Sequence, residues 1–448
     1  MNINQNIDKK NICVLGLGHV GLTLSLVMAE KGLNVIGFDT NQKLIEQINS
    51  KQSPILEPNI DHYLDKLLGK TFKVTSSLSD FSADVYIITV GTPIDSDKNL
   101  NISFIKRAAE SIGNKIKYGD LVILRSTVPV GLSRNIVAPI LEEKSKLKCG
   151  KDFLLSYSPE RTIEGEALKE LSELPQIVSG FNKESSKYAK KIFSKITLDV
   201  EEVGSLENAE MIKIMNNTFR DVKFAYANEM ALICKDLGLD MVDLVKFANA
   251  GYKRDRIPVP SPGVGGACLS KDTYILKYSA KDIFHKPKLS LKARETNELI
   301  PLEILNSIEK TLKQNNKSIE QAKFFIIGFA FKGNPETADL RGSTTIDFLS
   351  ELNKKISKDK IVYGFDPIVN PDEISNLKVE YTNYVNGFDQ ADVVLFMNNH
   401  LSYKELDIQK LLKSASNDCI FYDAWHLFEP AKISLINKVI YQSVGYGI

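Results

Sequence analysis

Residues 11–39 constrain this chain more than any other stretch. Asn11-Ile-Cys-Val-Leu15 is an apolar run, and Gly16-Leu-Gly18-His19-Val20-Gly21 follows it at once. A helical pattern then runs from Thr23 to Lys31, Gly32 is placed to end it, and Asn34-Val-Ile-Gly-Phe38 leads into Asp39. Short apolar runs without alternation predict strands buried on both faces, which means a parallel sheet covered by helices. In such a unit the first glycine makes a tight turn, the second admits a pyrophosphate, and the third lets helix and strand pack closely. The helix start adds N–H groups and a partial positive charge. Asp39 lies 18 residues past Gly21, where a carboxylate can accept from ribose hydroxyls and repels a 2′-phosphate, favouring NAD over NADP. The order strand, glycine turn, helix, strand, acid predicts a dinucleotide site.

At 448 residues the chain is too long for one core. Ala83–Val90 reads as a strand running into Gly91-Thr92-Pro93, and Asp120–Arg125 as another ending in Ser126-Thr127-Val-Pro-Val-Gly131. Both set small polar residues just past a strand's carboxyl end, the edge where open parallel sheets bind ligands. Phe153–Tyr157 leads to Ser158-Pro-Glu160-Arg161-Thr-Ile-Glu164-Gly. A second β/α series starts at residues 323–328 and continues through Ile361–Phe365 and Ala391–Phe396. The expected fold is therefore α/β, two Rossmann-like domains with parallel sheets joined by a long central helix.

That helix is predicted from about Leu206 to Leu237, a stretch with no Pro and no Gly before its end. Its apolar residues run nearly all the way round, as in a helix buried in a core or between subunits. Lys213 and Asn217 stand at i and i+4 and share one face. Further on, Ser261-Pro-Gly263-Val-Gly265-Gly266-Ala-Cys268-Leu-Ser-Lys-Asp272 sets three glycines beside a thiol, a lysine and a carboxylate. The glycines permit close backbone approach to a ligand. N–H groups and a lysine near a thiol stabilise its anion, as a nucleophilic cysteine requires. Alone, the stretch reads first as a turn with a small buried cysteine, and the rest of the chain decides.

Lys plus Arg (57) nearly cancel Asp plus Glu (56), so no global basic footprint calls for nucleic acid. Cysteines at 13, 149, 234, 268 and 419 form no CxxC pair, and the five histidines no ligand-spaced pair, so no metal is expected. The polar N-terminal residues lack the apolar core of a signal, and no run approaches a membrane span. A cytoplasmic protein without membrane or nucleic-acid partners is expected.

Taken together, Gly16-Leu-Gly-His-Val-Gly21, Val90-Gly-Thr-Pro93, Ser126–Gly131, Ser158-Pro-Glu160, Lys213-x-x-x-Asn217, Gly263–Asp272, Phe331-Lys332 and Asp339-Leu-Arg341 resemble the nucleotide-sugar 6-dehydrogenases, the UDP-glucose/GDP-mannose dehydrogenase family. The segment Ser158–Gly165 with Leu174–Gly180 resembles the UDP-N-acetylhexosamine branch. Departures are Ala267, where relatives carry His or Ser, Thr23, where Pro is common, and Leu269–Asp272, which is less typical of that branch.

The resemblance implies an NAD-binding domain (1–205), a central helical dimerisation region with the cysteine loop (206–317) and a nucleotide-sugar-binding domain (318–448). It implies a four-electron oxidation of a sugar C6 alcohol to a carboxylate through a thiohemiacetal and thioester on Cys268. Lys213 and Asn217 would stabilise the oxyanion and contact substrate, and Asp272 would orient Lys213 and a water. Glu160 would be the base for hydrolysis, with Thr127 placing the water. Gly16, Gly18, His19, Val20, Gly21, Asp39, Thr92, Thr127 and Arg341 would meet the cofactor. Arg161, Glu164, Arg254, Gly263, Gly265, Gly266 and Lys332 would meet the sugar nucleotide, Arg254 from a neighbouring subunit. The substrate stays open between UDP-N-acetylmannosamine, UDP-N-acetylglucosamine and a related UDP-sugar, for surface polysaccharide, with UDP-glucose as the alternative. At least a homodimer is implied. A two-electron β-hydroxyacid-type enzyme and a non-catalytic NAD sensor are the competing readings.

Overall fold

A computed structural model of the chain describes residues 7–436 and 439–447. The chain packs as two compact units, one of Met1–Asn216 with Tyr274–Pro287, the other of Asn217–Thr273 with Lys288–Ile448. Of residues 206–317, the stretches 217–273 and 288–317 belong to the second unit and 206–216 and 274–287 to the first.

The first unit is built on an eight-stranded sheet in the order β3-β2-β1-β4-β5-β6-β7-β8. The strands are β1 (Asn11–Leu15), β2 (Asn34–Phe38), β3 (Phe72–Thr75), β4 (Val85–Ile88), β5 (Leu121–Leu124), β6 (Leu154–Tyr157), β7 (Gln176–Gly180) and β8 (Val200–Ser205). Neighbours pair in parallel, except that β7 meets β6 antiparallel. Successive side chains of one strand enter different cores. Ile12, Val14, Ile87 and Ile123 pack on one face with the helix His19–Glu30. Cys13, Leu15, Tyr86, Val122 and Leu124 pack on the other. Two covered faces explain why these strands read as unbroken apolar runs.

The first helix ends at Glu30 and starts at His19, four residues before the start its apolar pattern suggests. The glycine turn itself supplies the first helical turn. A Cβ on Gly21 would lie 1.8 Å from the carbonyl oxygen of Gly16, so only glycine fits there. Edge strands β3 and β8 carry exposed polar residues, which is why the sequence did not announce them.

The second unit holds a six-stranded sheet, ordered β11-β10-β9-β12-β13-β14. Its strands are β9 (Phe324–Ile327), β10 (Val362–Phe365), β11 (Val379–Tyr381), β12 (Val393–Phe396), β13 (Cys419–Asp423) and β14 (Val439–Gln442). All pairs are parallel. Alternation again feeds two cores, with Ile326, Val393 and Leu395 in one and Phe325, Ile327, Val394 and Phe396 in the other.

The helix Leu206–Asp236 follows β8 without a loop. Its apolar residues are not all covered within one chain: Met215, Phe219, Tyr226 and Ile233 are exposed. At spacings of four, seven and seven these share one face. Its polar residues are instead partly buried. In the second unit Asp221 Oδ1 accepts from Arg294 Nη1 at 3.1 Å and from Asn297 Nδ2 at 2.8 Å. Arg294, 2 % exposed, also donates to the carbonyls of Val264 (3.0 Å) and Leu269 (3.3 Å). Asn228 binds Asn297 and accepts from the Ser261 N–H. The cysteine loop is thereby fastened at its start, middle and end. Among the described residues no helix is long and apolar enough to cross a membrane.

Replacing Arg294 by Met strands the Asp221 carboxylate without its cation. Loss of one partner of a buried ion pair costs about 3–5 kcal/mol, so urea denaturation of Arg294→Met should show a loss of that size.

Candidate active site

In the first unit the glycine turn lies at the carboxyl end of β1. Gly16 has φ +95 and Gly18 is open, with no atom within 4 Å of a notional Cβ. The first helix begins immediately after it. Asp39, at the end of β2, accepts from the N–H groups of Leu17 (2.8 Å) and Asn41 (2.9 Å). Open space over Gly18, helix N–H groups and a fixed carboxylate one strand away fit a dinucleotide. Thr92 Oγ1 donates to the Thr127 carbonyl at 2.8 Å, and Ser126 Oγ to that of Val90 at 2.6 Å. The loops after β4 and β5 are thus tied to each other.

His19 lies 3.2 Å from Glu57, whose other contacts are the N–H groups of Gly165 (2.8 Å) and Leu168 (3.3 Å). Burial alone would raise the Glu57 carboxyl, but His19 and the two N–H groups outweigh it and hold the group below its ordinary range. Glu57 therefore links the dinucleotide turn to the loop after β6. A lone Glu in a polar stretch carries no sequence signal for this.

Within that loop, Glu160 Oε1 accepts from the N–H groups of Arg161 (2.6 Å) and Thr162 (2.9 Å). Oε2 accepts from Arg125 Nε (3.0 Å) and Nη2 (2.6 Å). Burial pushes this carboxyl up; Arg125, the Thr162 N–H and the charge of Lys213 more than offset it, so the group stays below the usual carboxylate range. Lys213 itself is 8 % exposed. Arg161 is exposed, donating to the Pro175 carbonyl at 3.3 Å, and Glu164 is half-buried. Glu210, fully buried on the long helix, accepts from the Gly131 N–H (2.5 Å) and the Ser133 N–H (3.0 Å). Burial pushes its carboxyl up to about 7 despite those bonds. It holds the loop that carries Thr127.

In the second unit Asn217 Nδ2 donates to Asp272 Oδ2 at 2.5 Å, and Lys271 Nζ lies 3.0 Å from Asp272 Oδ1. Asp272, 1 % exposed, thus fixes the amide of the expected pair. Cys268 is exposed and directly precedes the helix Leu269–Ser279, while the other four cysteines are buried. Burial raises the thiols of Cys13, Cys149 and Cys419, the last two to about 12, so they stay protonated and inert.

The glycines before Cys268 make close contacts within the chain itself. The Gly263 N–H donates to Ser261 O (2.7 Å) and the Gly266 N–H to Gly342 O (3.1 Å). A Cβ on Gly265 would lie 2.4 Å from Gly342 O, and one on Gly266 2.8 Å from the Phe331 ring. They allow the cysteine loop to press against the loop 331–342. In that partner loop Arg341 is exposed and forks onto Asp339 through Nε and Nη2. Lys332 lies over the Phe331 ring at 5.5 Å. Arg254 is exposed, 5.9 Å from the Tyr252 ring.

Family models match three successive parts of the chain. The NAD binding domain, central domain and UDP binding domain of the UDP-glucose/GDP-mannose dehydrogenase family match residues 10–197, 207–299 and 325–430. A UDP-N-acetyl-D-mannosamine dehydrogenase of Pyrococcus horikoshii is 32% identical over 439 residues, 97% of this chain and 99% of the relative. An NDP-N-acetyl-D-galactosaminuronic acid dehydrogenase of Ralstonia solanacearum is 30% identical over 90% of this chain and 94% of its own. A solved structure of UDP-D-ManNAc dehydrogenase from Pyrococcus horikoshii superposes with a TM-score of 0.88 at 30% identity, covering 98% of this chain and 99% of the other.

Gly21→Ala tests the dinucleotide turn. The added methyl meets the Gly16 carbonyl, so calorimetry should show NAD binding weakened by at least a hundredfold; unchanged affinity would refute the assignment.

Proposed function

The chain belongs to the UDP-glucose/GDP-mannose dehydrogenase family and is an NAD-dependent nucleotide-sugar dehydrogenase, and from that premise we propose that it oxidises the C6 alcohol of a UDP-N-acetylhexosamine to the uronate. UDP-N-acetyl-D-mannosamine is the first candidate, because full-length relatives carry that name. The observation that carries the covalent mechanism is the state of the thiols: four are buried, and Cys268 stands exposed at a helix start.

When bound at the glycine turn, NAD supplies the hydride acceptor for both oxidations. The chain's own residues are assigned as follows. Lys213 and Asn217 stabilise negative charge on the C6 oxygen, and Asp272 holds the Asn217 amide in place. Cys268, as thiolate, attacks the aldehyde carbon, so the reactive aldehyde stays attached as a thiohemiacetal and, after the second oxidation, a thioester. Glu160 takes a proton from the hydrolytic water, which Thr127 helps to place. Arg161, Glu164, Gly263, Gly265 and Lys332 are assigned to the substrate's surroundings, and Arg341 to the cofactor's. The uronate product suits surface polysaccharide synthesis, and a reducing cytoplasm suits an exposed catalytic thiol.

The exposed face Met215, Phe219, Tyr226 and Ile233 supports a homodimer through the long helix, with Arg254 reaching the partner subunit's substrate. Large apolar residues aligned on one helix face mark a contact with another surface. In sedimentation velocity, Phe219→Asp should yield a smaller species than the unaltered chain; identical profiles would refute this interface.

The decisive experiment is NADH release across UDP-N-acetylmannosamine, -glucosamine, -galactosamine and UDP-glucose. Two NADH per sugar are expected. A ratio of one would instead support a two-electron enzyme, and binding without turnover a sensor. Cys268→Ser should lose uronate formation by at least a thousandfold, and undiminished formation would exclude the thioester route.

A further inference from the structure

Arg125 directly follows the buried strand β5. Its side chain is fully buried and out of reach of bulk water, so its donors need partners inside the fold. Nε and Nη2 both go to Glu160 Oε2, Nη2 also to Gln176 Oε1 at 3.1 Å, and Nη1 to Ser158 Oγ (3.3 Å) and the Ser158 carbonyl (3.4 Å). Its guanidinium carbon lies 5.1 Å from the Phe193 ring centroid. The cation is thus clamped by β7, by the start of the loop after β6 and by an aromatic ring. It has no freedom to leave the carboxylate it holds.

We propose that Arg125 is a positioning residue for the hydrolytic half of the reaction, fixing the Glu160 carboxylate in orientation and in its ionised form. The inference rests on the reading of Glu160 as the base. In that step water attacks the thioester carbonyl. A C–O bond forms, the C–S bond breaks to return the Cys268 thiolate, one water proton passes to Glu160, and the second leaves with ionisation of the product acid. A base in this step must be deprotonated before water arrives, and its orientation must not wander. The arginine meets the first demand through its charge and shares the second: its two N–H groups pin Oε2 while the Arg161 and Thr162 N–H groups pin Oε1, and the two held oxygens together define the carboxylate's angle.

The charges facing Glu160 are Arg125, from the end of β5, and Lys213, from the long helix; Arg161 and Thr162 contribute backbone N–H groups from its own loop. Both cations favour the carboxylate, and its burial opposes them. The sign follows: with Arg125 gone, burial and the N–H groups remain, the proton binds more tightly, and a higher pH is needed to make the base. A lysine at 125 keeps the charge but not the fork.

Three variants test this. Glu160→Gln, turning over UDP-N-acetyl-D-mannosamine or whichever panel sugar is active, should accumulate acyl-enzyme in acid-quenched intact-mass spectra. Absence of the adduct would refute Glu160 as base, whatever Arg125 does. Infrared titration of the carboxyl band, taken as the difference from Glu160→Gln, needs no substrate. Glu160 in Arg125→Met should titrate at least one pH unit higher than in the unaltered chain, and the acid limb of hydrolysis should move with it. Titration at the same pH would overturn the inference even with the base reading intact. Arg125→Lys keeps the test decisive if Arg125→Met does not fold. It should titrate near the unaltered chain yet hydrolyse thioester at least tenfold more slowly, and hydrolysis at the original rate would overturn the positioning role.

Discussion

A helix that buries polar side chains must have each of them answered, because an unpaired buried donor or acceptor costs of the order of several kcal/mol. The helix Leu206–Asp236 is under this constraint along its length. Glu210 is answered by two N–H groups of the loop after β5, Asn217 by Asp272, Asp221 by Arg294 and Asn297, and Asn228 by Ser261 and Asn297. Some answers fasten loops directly, as at Gly131, Ser133 and Ser261, and others tie the helix to the neighbouring helices that carry Asp272, Arg294 and Asn297. The need to satisfy the helix and the need to hold the loops still are met by the same bonds.

Two buried glutamates show how local partners decide what a carboxyl group can do. Glu160 and Glu210 are both withdrawn from water, and burial raises both. Glu160 faces the cation Arg125 and is carried below the normal range. Glu210 has N–H dipoles but no paired cation, and remains near 7. N–H groups offset part of the desolvation of a carboxylate, whereas a full charge at hydrogen-bond distance reverses it. The first therefore stands ionised until it takes up a proton, and burial makes the second the harder of the two to ionise.

Glycines divide in a comparable way. Gly16 and Gly21 serve the tight turn between β1 and the first helix. Gly265 and Gly266 look alike in the sequence, but serve packing against Gly342 and Phe331. A glycine records that something comes close; it does not record whether that is a ligand or the chain's own backbone, and no local pattern near residue 265 names a partner some seventy residues away.

The order of apolar runs, glycine turn and Asp39 determined the dinucleotide half, and Phe324–Ile327 with the runs that follow determined the second sheet, since unbroken apolar strands are stable only between two covered faces. Lys213, Asn217, Cys268 and Asp272 stood out because their spacing is local and their chemistry uncommon. The antiparallel meeting of β6 and β7, the edge strands, and the anchoring roles of Glu57, Arg125, Glu210 and Arg294 were decided only in tertiary structure. The anchoring roles depend on partners from 25 to 111 positions away in the chain. A single charged residue in a strand or helix reads as a solvated surface group until folding removes its water and supplies the one partner that makes burial tolerable.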